Sequence, residues 1–325
     1  MSTATTSIFD SIADDLAAAQ RVFDRELHSR RSCVNALTDH LRSYYGKRLR
    51  PALLFLSAKT IAEPSEAHHI LAAVVEMVHL ATLVHDDVLD EAEMRRHAPT
   101  ISHLQGNEAA VLLGDYLISH AYHLCSSLQD QRASRTIAGA TNTVCEGELL
   151  QLSHRGDLEL NESTYFQIVA DKTASLCAVC CQLGGLFSGG SESQVDALHR
   201  FGMELGVAFQ IVDDILDLTG EPEKVGKSLG LDAKKAKLTL PIIRYLLQSP
   251  PKQCARMRGF LSGEAGAETL HEMREMLCAS PALESTRKTA AERVESAVDQ
   301  LNALPDTPAR DVLAHVARFV VERQS

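Results

Sequence analysis

The chain has 325 residues, of which 45% are hydrophobic and 23% are charged, a balance typical of a globular protein with one large domain or two ordinary ones. Its 32 basic and 43 acidic residues give a net charge of −11, which argues against nucleic-acid binding because such proteins usually carry a basic surplus. It has no tryptophan, so we expect no aromatic belt at a membrane interface.

The N-terminal residues show no basic region followed by a long apolar core, so we expect no secretory signal and a cytoplasmic protein. We also expect no apolar segment long enough to span a membrane. The eight cysteines include one CxxC spacing, Cys177–Cys180, within an apolar segment. With no second CxxC and no histidine pair at zinc-finger spacing, Cys177, Cys180 and Cys181 are expected to be reduced core residues on a helix.

Apolar residues recur every three to four positions along almost the whole chain, which predicts helices and no strands. In the first part we expect helices at 5–29, 31–45 and 51–62, then a long helix capped by Ser65 and a polar loop at 91–106. Later helices are predicted at 107–128, 131–152, 161–187, 192–219, 238–248, 252–262, 265–279, 281–303 and 307–322. A second polar loop covers 220–236. Because no low-complexity linker interrupts residues 1–325, the prediction is a single all-α domain.

The predicted long helix ends in three aspartates, within Asp86-Asp87-Val88-Leu89-Asp90. Asp86 and Asp90 lie one turn apart on one face, where two like charges repel each other unless a cation lies between them. Carboxylates without histidine or cysteine suit a hard cation such as Mg²⁺. The pattern recurs as Asp213-Asp214-Ile215-Leu216-Asp217, again after an apolar segment and before a polar, basic loop. The repetition favours metal sites over solvated acidic helix ends.

Basic residues occur on an early turn, after the first aspartate cluster, in the middle of a later helix and after the second cluster. They are Lys47, Arg48, Arg50, Arg95, Arg96, Lys172, Lys227, Lys234, Lys235 and Lys237. Arginine binds phosphate through two parallel hydrogen bonds, and lysine acts as a point charge. Since the helices are apolar before each cluster, we expect an apolar cavity whose mouth carries metal ions and cations. A long hydrocarbon with a diphosphate group fits such a cavity.

The chain resembles the trans-isoprenyl (polyprenyl) diphosphate synthase family over residues 40–245, and most closely its long-chain octaprenyl, heptaprenyl and solanesyl diphosphate synthases. The matching segments are Gly46–Pro51, His79, Asp86–Asp90, Arg95-Arg96, Gly114-Asp115, Glu146–Gln151, Lys172-Thr173, Phe209-Gln210, Asp213–Asp217, Gly226-Lys227 and Lys237–Pro241. The chain departs from the family at Ala236, where glycine is usual, and at Ser228, where proline is frequent. The resemblance implies an isoprenoid-synthase-type helical bundle around a deep central cavity, and a homodimer.

The resemblance also implies roles for individual residues. The ligands of Mg²⁺, with about three ions per active site, would be Asp86, Asp90, Asp213 and Asp217. The allylic diphosphate would contact Arg95, Lys172, Thr173, Gln210, Lys227 and Lys237. Isopentenyl diphosphate would contact Lys47, Arg50, His79 and Arg96. The residues expected to matter most for catalysis are Asp86, Asp90, Lys172, Asp213 and Lys227.

The length of the product would depend on the residues that line the cavity below Asp86. These are Val78, Ala81 and Thr82; in the family, large aromatic residues at the last two positions stop elongation early. Since both are small here, the resemblance implies a long all-trans product, such as a quinone side-chain precursor handed to membrane enzymes. The cavity floor is expected on helix 114–128, with candidates Leu117, Ala121, His123 and Leu124.

Three other functions stay open at this point. A short-chain farnesyl or geranylgeranyl diphosphate synthase would share all these motifs. A class I terpene cyclase would carry asparagine, serine or threonine, and glutamate in its second metal motif, and would lack an isopentenyl diphosphate site. A non-catalytic subunit of a heteromeric synthase would lose motif aspartates or arginines, and this chain keeps them. Glu146 and Glu148 are expected to orient basic groups, and His85, His120, His123 and His154 to be structural.

Overall fold

The computed structural model describes residues 9–96, 98–219, 237–263 and 267–322. Its α-helices are α1 Ala13–Leu27, α2 Ser32–His40, α3 Leu49–Lys59, α4 Glu66–Leu89, α5 Ile101–Gln105, α6 Asn107–Ser126, α7 Arg132–Ser153, α8 Glu162–Val169, α9 Ser175–Phe187, α10 Glu192–Thr219, α11 Leu240–Gln248, α12 Pro251–Ser262, α13 Ala267–Cys278, α14 Pro281–Gln300 and α15 Pro308–Glu322. Short 3₁₀ turns occur at Leu41–Tyr44 and Leu301–Ala303. The predicted all-α class is therefore confirmed.

Two segments differ from the predicted elements. The predicted loop 91–106 contains a small antiparallel hairpin, β1 Met94–Arg95 and β2 Ala98–Pro99, followed by α5. The predicted helix 161–187 is not one regular helix, because a π-helical turn at Ala170–Ala174 joins α8 to α9. A hairpin with two residues per strand is too short to produce a detectable apolar alternation, and one π turn barely disturbs helical periodicity.

The helix α4 begins with the predicted cap. Ser65 has extended backbone angles, and its N–H donates to His68 Nδ1 at 2.9 Å, so an imidazole takes the place that glutamate or glutamine holds in the usual capping box. His68 Nε2 in turn donates to the carbonyl of Gly184 at 3.1 Å. Burial lowers the pKa of His68, which keeps the ring neutral and able to accept at Nδ1.

Among the described residues, α4 alone is long and apolar enough to cross a membrane by length and composition. The expectation that no apolar segment reaches this length is therefore wrong. However, 61% of its most apolar window is buried inside the structure, and a core helix of a soluble protein passes the same test. The length of α4 is thus weak evidence for a membrane span.

The chain divides into two compact units, residues 1–141, 176–202 and 301–314, and residues 142–175, 203–300 and 315–325. Four of the five boundaries fall inside helices, within α7, α9, α10 and α15. The single-domain organisation stays a prediction.

In the first unit, α4 packs against α1, α3 and α6, and its apolar side chains between Leu71 and Val84 are buried except Leu83, which is half-buried. In the second unit, α11 packs against α14, α12, α13 and α8. Arg244 on α11 links these helices by donating to both oxygens of Glu162 at 3.1 and 3.0 Å and to the carbonyl of Ser285 at 2.6 Å. The two units thus have different central helices, and each carries one aspartate cluster.

Candidate active site

In the first unit, the aspartate cluster lies at the C-terminal end of α4. Asp86 and Asp90 are half-buried, and the N–H of Asp90 donates to the carbonyl of Asp86 at 2.8 Å, which closes the last helical turn. The C-terminal end of a helix carries partial negative charge, so two carboxylates there are unfavourable without a cation. This arrangement fits the prediction that Asp86 and Asp90 bind a metal ion.

The middle residue, Asp87, has a different environment. It is 1% exposed and accepts hydrogen bonds from Tyr44 Oη to Oδ2 at 2.7 Å and from Arg95 Nε to Oδ1 at 2.8 Å. Burial and the bond to Asp87 raise the pKa of Tyr44, so its hydroxyl stays a donor. Asp87 therefore holds Arg95, which was predicted to bind the allylic diphosphate. No spacing pattern in the sequence marks Tyr44.

Two of the residues predicted to bind isopentenyl diphosphate touch each other. Arg50 on α3 donates from Nη1 to His79 Nε2 on α4 at 3.1 Å. Burial, followed by the positive charges of Arg50, Arg96 and Arg95, holds the pKa of His79 well below its usual value. The imidazole is therefore neutral, and it orients the Arg50 guanidinium.

A buried carboxylate lies one turn before His79, at Glu76. It is 8% exposed, and burial raises its pKa, while the charges of Arg50, Arg48 and Arg96 act in the opposite direction. Sequence analysis missed Glu76. The spacing of three residues to His79 could have identified it, because it places both side chains on one helix face.

Arg96 and Gly46 form a close contact in the same unit. The backbone of Arg96 is left-handed, with φ 51°, and its Nη1 donates to the carbonyl of Tyr44. The guanidinium occupies the space that a side chain at position 46 would need, so a residue larger than glycine would displace it. Lys47 is exposed beside it, and the Arg48 guanidinium lies 4.9 Å from the centre of the Tyr45 ring.

In the second unit, the aspartates on α10 repeat this arrangement. Asp213 and Asp217 are half-buried, whereas Asp214 is 3% exposed. Asp214 accepts from Tyr165 Oη at 2.6 Å and from Gln210 Nε2 at 2.8 Å. Gln210 Oε1 accepts from Thr173 Oγ1 at 3.0 Å. The structure thus joins Gln210 and Thr173, which were both predicted to bind the allylic diphosphate.

The other predicted allylic residue in this unit, Lys172, lies in the π turn. Its ammonium pairs with Glu148 on α7, and Gln151 Nε2 donates to the other carboxylate oxygen at 3.2 Å. A side chain at Gly147 would lie 2.7 Å from the backbone nitrogen of Lys172, so a glycine is needed for this approach. Glu148 orients Lys172 as expected, whereas Glu146 is exposed.

The last two lysines predicted to bind the allylic diphosphate are Lys227 and Lys237. Lys227 lies outside the described residues. Lys237 is half-buried and precedes α11.

The donor chemistry of the half-buried aspartates fits Mg²⁺. Within the described parts of the chain, no group of three or more histidine, cysteine, aspartate or glutamate side chains could hold a metal ion by itself. Magnesium prefers octahedral oxygen coordination, keeps several waters and often binds through one or two carboxylates together with substrate phosphates. A pair of aspartates therefore leaves coordination positions of Mg²⁺ open for water and for substrate phosphate, as this ion prefers.

The residues predicted to set product length are on the buried part of α4. Val78 and Ala81 are 1% and 0% exposed, and the Thr82 hydroxyl donates to the His79 carbonyl at 2.8 Å on its own helix. Among the floor candidates, Leu117, Ala121 and Leu124 are buried. The expectation for His123 is wrong, because its side chain is 76% exposed.

Four further histidines from the sequence predictions make contacts with neighbouring helices or turns. Glu26 Oε1 accepts from Nδ1 of both His123 and His120, at 2.9 and 3.1 Å. His85 Nε2 donates to the Val111 carbonyl at 3.1 Å, and His154 Nδ1 donates to Asp157 at 2.9 Å. These contacts fit the expectation that His85, His120 and His154 are structural.

A family model described as polyprenyl synthetase matches residues 31–277. The octaprenyl diphosphate synthase of Escherichia coli (strain K12) is 34% identical over 311 residues, 96% of this chain and 96% of that protein. The nonaprenyl diphosphate synthase of Mycobacterium tuberculosis is 38% identical over 312 residues, 95% of this chain and 92% of that protein.

Solved structures agree with these relatives. A decaprenyl diphosphate synthase from Rhodobacter capsulatus superposes with a TM-score of 0.93 at 35% identity, over 99% of each chain. A polyprenyl synthase from Caulobacter crescentus CB15, complexed with calcium and isoprenyl diphosphate, gives a TM-score of 0.93 at 32% identity, over 99% of this chain and 98% of that one.

Proposed function

Because this chain belongs to the polyprenyl synthetase family, we propose that it is a prenyltransferase which joins isopentenyl diphosphate to an allylic diphosphate. Its product is a long-chain all-trans polyprenyl diphosphate, in keeping with the octaprenyl, nonaprenyl and heptaprenyl diphosphate synthases that it resembles over nearly their full length. The observation that carries the proposal is this match along almost the whole of both chains, including both aspartate clusters.

The reaction needs a divalent cation, and Mg²⁺ supplies positive charge to the departing diphosphate when it is bound. We propose Asp86, Asp90, Asp213 and Asp217 as its ligands, with about three ions per active site. Their half-buried carboxylates support this assignment, as does the complex of the Caulobacter crescentus relative with calcium and isoprenyl diphosphate.

The allylic diphosphate is bound by donors that the protein already holds in place. They are Arg95, Lys172, Thr173 and Gln210, together with Lys237 and, outside the described residues, Lys227. Carboxylates orient three of these donors, since Asp87 holds Arg95, Glu148 holds Lys172 and Asp214 holds Gln210. Donors fixed in advance stabilise negative charge on the diphosphate as the carbon–oxygen bond breaks, without reorganising at that moment.

Isopentenyl diphosphate is bound by Lys47, Arg50, His79 and Arg96, and His79 also positions the Arg50 guanidinium. Its double bond attacks the allylic cation, a new carbon–carbon bond forms, and a proton is then lost from the adjacent carbon. The released pyrophosphate takes that proton. Buried apolar residues of α4 exclude water, which would otherwise quench the cation.

We further propose a long product, a homodimer and a cytoplasmic location. The small side chains of Ala81 and Thr82 support the long product, which membrane enzymes would take up. Exposed apolar side chains on α5 and α6 support a self-association surface, namely Leu104, Val111, Leu112 and Tyr122. Light scattering of the purified chain and of Leu112→Glu tests the dimer; two monomeric samples would contradict it.

The test of the function is incubation of the purified full chain with farnesyl diphosphate, isopentenyl diphosphate and Mg²⁺, followed by mass spectrometry of the products. We expect a ladder of five-carbon increments longer than geranylgeranyl diphosphate, which disappears with EDTA and returns with added Mg²⁺. Products that stop at geranylgeranyl diphosphate would identify a short-chain synthase. Equal turnover of farnesyl diphosphate without isopentenyl diphosphate would identify a cyclase, and an inactive single chain would identify a subunit of a heteromeric enzyme.

A further inference from the structure

Each aspartate cluster contains one buried carboxylate that is held by a tyrosine. Asp87 accepts from Tyr44 Oη at 2.7 Å, and Asp214 accepts from Tyr165 Oη at 2.6 Å. The two aspartates are 1% and 3% exposed, whereas the first and last aspartates of each cluster are half-buried. The same arrangement thus occurs independently in both units.

On its second oxygen, each buried carboxylate accepts from a side chain proposed to bind the allylic diphosphate. Asp87 Oδ1 accepts from Arg95 Nε at 2.8 Å, and Asp214 Oδ1 accepts from Gln210 Nε2 at 2.8 Å. A buried carboxylate is costly unless its oxygens are hydrogen-bonded, so each tyrosine satisfies the oxygen that the phosphate-binding side chain leaves open.

We propose that Tyr44 and Tyr165 are positioning residues, which fix Asp87 and Asp214 and thereby aim Arg95 and Gln210 at the allylic diphosphate. This inference rests on the proposed function. It concerns two residues outside every motif of the sequence, and it gives the middle aspartates a role other than metal binding. A carboxylate held at both oxygens leaves its partner one preferred orientation, and such preorganisation lowers the cost of binding a diphosphate.

The hydroxyl, the ring and the backbone of Tyr44 make different contacts, so a substitution can remove the hydroxyl contacts alone. The hydroxyl also accepts from the Ile101 N–H at 3.1 Å, while the ring lies 5.9 Å from the Arg95 guanidinium carbon and the carbonyl accepts from Arg96. Tyr44→Phe therefore removes the hydroxyl contacts and keeps the ring and the backbone. Tyr165→Phe does the same in the second unit, where the ring packs edge-on against Phe166 at 5.4 Å.

Each unit offers a matched control. The hydroxyl of Tyr45, adjacent to Tyr44, accepts from Gln20 Nε2 at 3.1 Å on α1, away from the aspartates. In the second unit, buried Tyr245 donates to Gln253 Oε1 at 3.4 Å. Tyr45→Phe and Tyr245→Phe remove the same atom from the same residue type without touching either cluster.

The experiment measures kcat and separate KM values for farnesyl and isopentenyl diphosphate, with melting temperatures, for the wild type and these four variants. For Tyr44→Phe and Tyr165→Phe, we expect the farnesyl diphosphate KM to rise about tenfold, as the loss of one hydrogen bond to a charged group allows. The isopentenyl diphosphate KM should stay within about twofold, and the controls should match the wild type. Combining Tyr44→Phe with Asp87→Asn, or Tyr165→Phe with Asp214→Asn, should add little to the aspartate variant alone, because the tyrosine acts through the aspartate.

Three results would overturn the inference: both KM values rising equally, a Tyr44→Phe chain indistinguishable from Tyr45→Phe, or variants that lose only folding stability. Failure of the wild type to elongate farnesyl diphosphate would instead overturn the proposed function, so the two failures are distinguishable.

Discussion

The neutral state of His79 predicts a specific change in acid stability. Burial and the neighbouring arginines depress its pKa, so the folded chain does not bind a proton there when the unfolded chain does. Stability from this residue is fully present above pH 6.5 and is lost as the pH falls below that value. His79→Gln removes the titrating group but keeps an oxygen that can accept from Arg50.

The magnitude follows from the difference in bound protons. Each unit of pH below 6.5 costs about 1.4 kcal/mol for one histidine that protonates only when unfolded. Between pH 7.5 and pH 5.5 the unfolded residue goes from mostly neutral to mostly charged, so the cost over this interval totals about 1.4 kcal/mol. Other titrating groups contribute equally to wild type and variant and cancel in the comparison.

The assay is urea unfolding of wild type and His79→Gln at pH 7.5 and pH 5.5 without substrates. We expect the free energy of unfolding to fall about 1.4 kcal/mol less in the variant across this interval. Identical pH dependence in both proteins would refute the conclusion that His79 is neutral in the folded chain.

Other variants test neighbouring features. Gly46→Ala should raise the isopentenyl diphosphate KM by about fivefold or more, because its methyl group would displace the Arg96 guanidinium. As a control, Gly139→Ala places its methyl group in open space and should leave this KM unchanged. Equal KM values in the two variants would contradict this prediction. Ala81→Phe should shorten the products seen by mass spectrometry, and unchanged chain lengths would refute its place in the product wall. Arg244→Ala removes hydrogen bonds to a carboxylate and a carbonyl in the second unit, so urea unfolding should show a loss of about 2–4 kcal/mol, and a loss below about 1 kcal/mol would show that the contacts contribute little.

The helical class and the placement of the aspartates could be predicted because they depend on local periodicity. Residues four apart lie on one helix face whatever the rest of the chain does, and Asp86 and Asp90 are indeed both half-buried at the end of α4. The family assignment also followed from short segments of sequence. Roles of individual residues in binding substrate and metal remain proposals.

The contacts that orient the site could not be predicted in the same way. Tyr44 and Asp87 are 43 residues apart, and Tyr165 and Asp214 are 49 apart, so no local pattern connects them. His123 was expected at the cavity floor because it lies on helix 114–128, which was predicted to close the cavity. Its pairing with Glu26 on α1 is a tertiary contact that decided its exposure.

The π turn at Ala170–Ala174 lets two side chains, eight positions apart, reach one helix. Tyr165 contacts Asp214 and Thr173 contacts Gln210, and these partners lie one turn apart on α10. In a regular α-helix, eight residues advance about 800°, some 80° beyond two full turns. With one residue taken up by the π turn, the advance is about 700°, within about 20° of two turns.

Because of this rotation, we expect the segment to tolerate the loss of one residue but not the gain of one. Loss of one residue, such as Ala170, would leave a regular helix with Tyr165 and Thr173 still facing α10. Gain of one residue would rotate them about 100° out of phase. We expect the melting temperature of a chain that lacks Ala170 to match that of the wild type. A chain with one added alanine at this position should have a lower melting temperature. An equal decrease in both variants would refute this. Among related chains, single-residue length differences in this turn should therefore be losses and not gains.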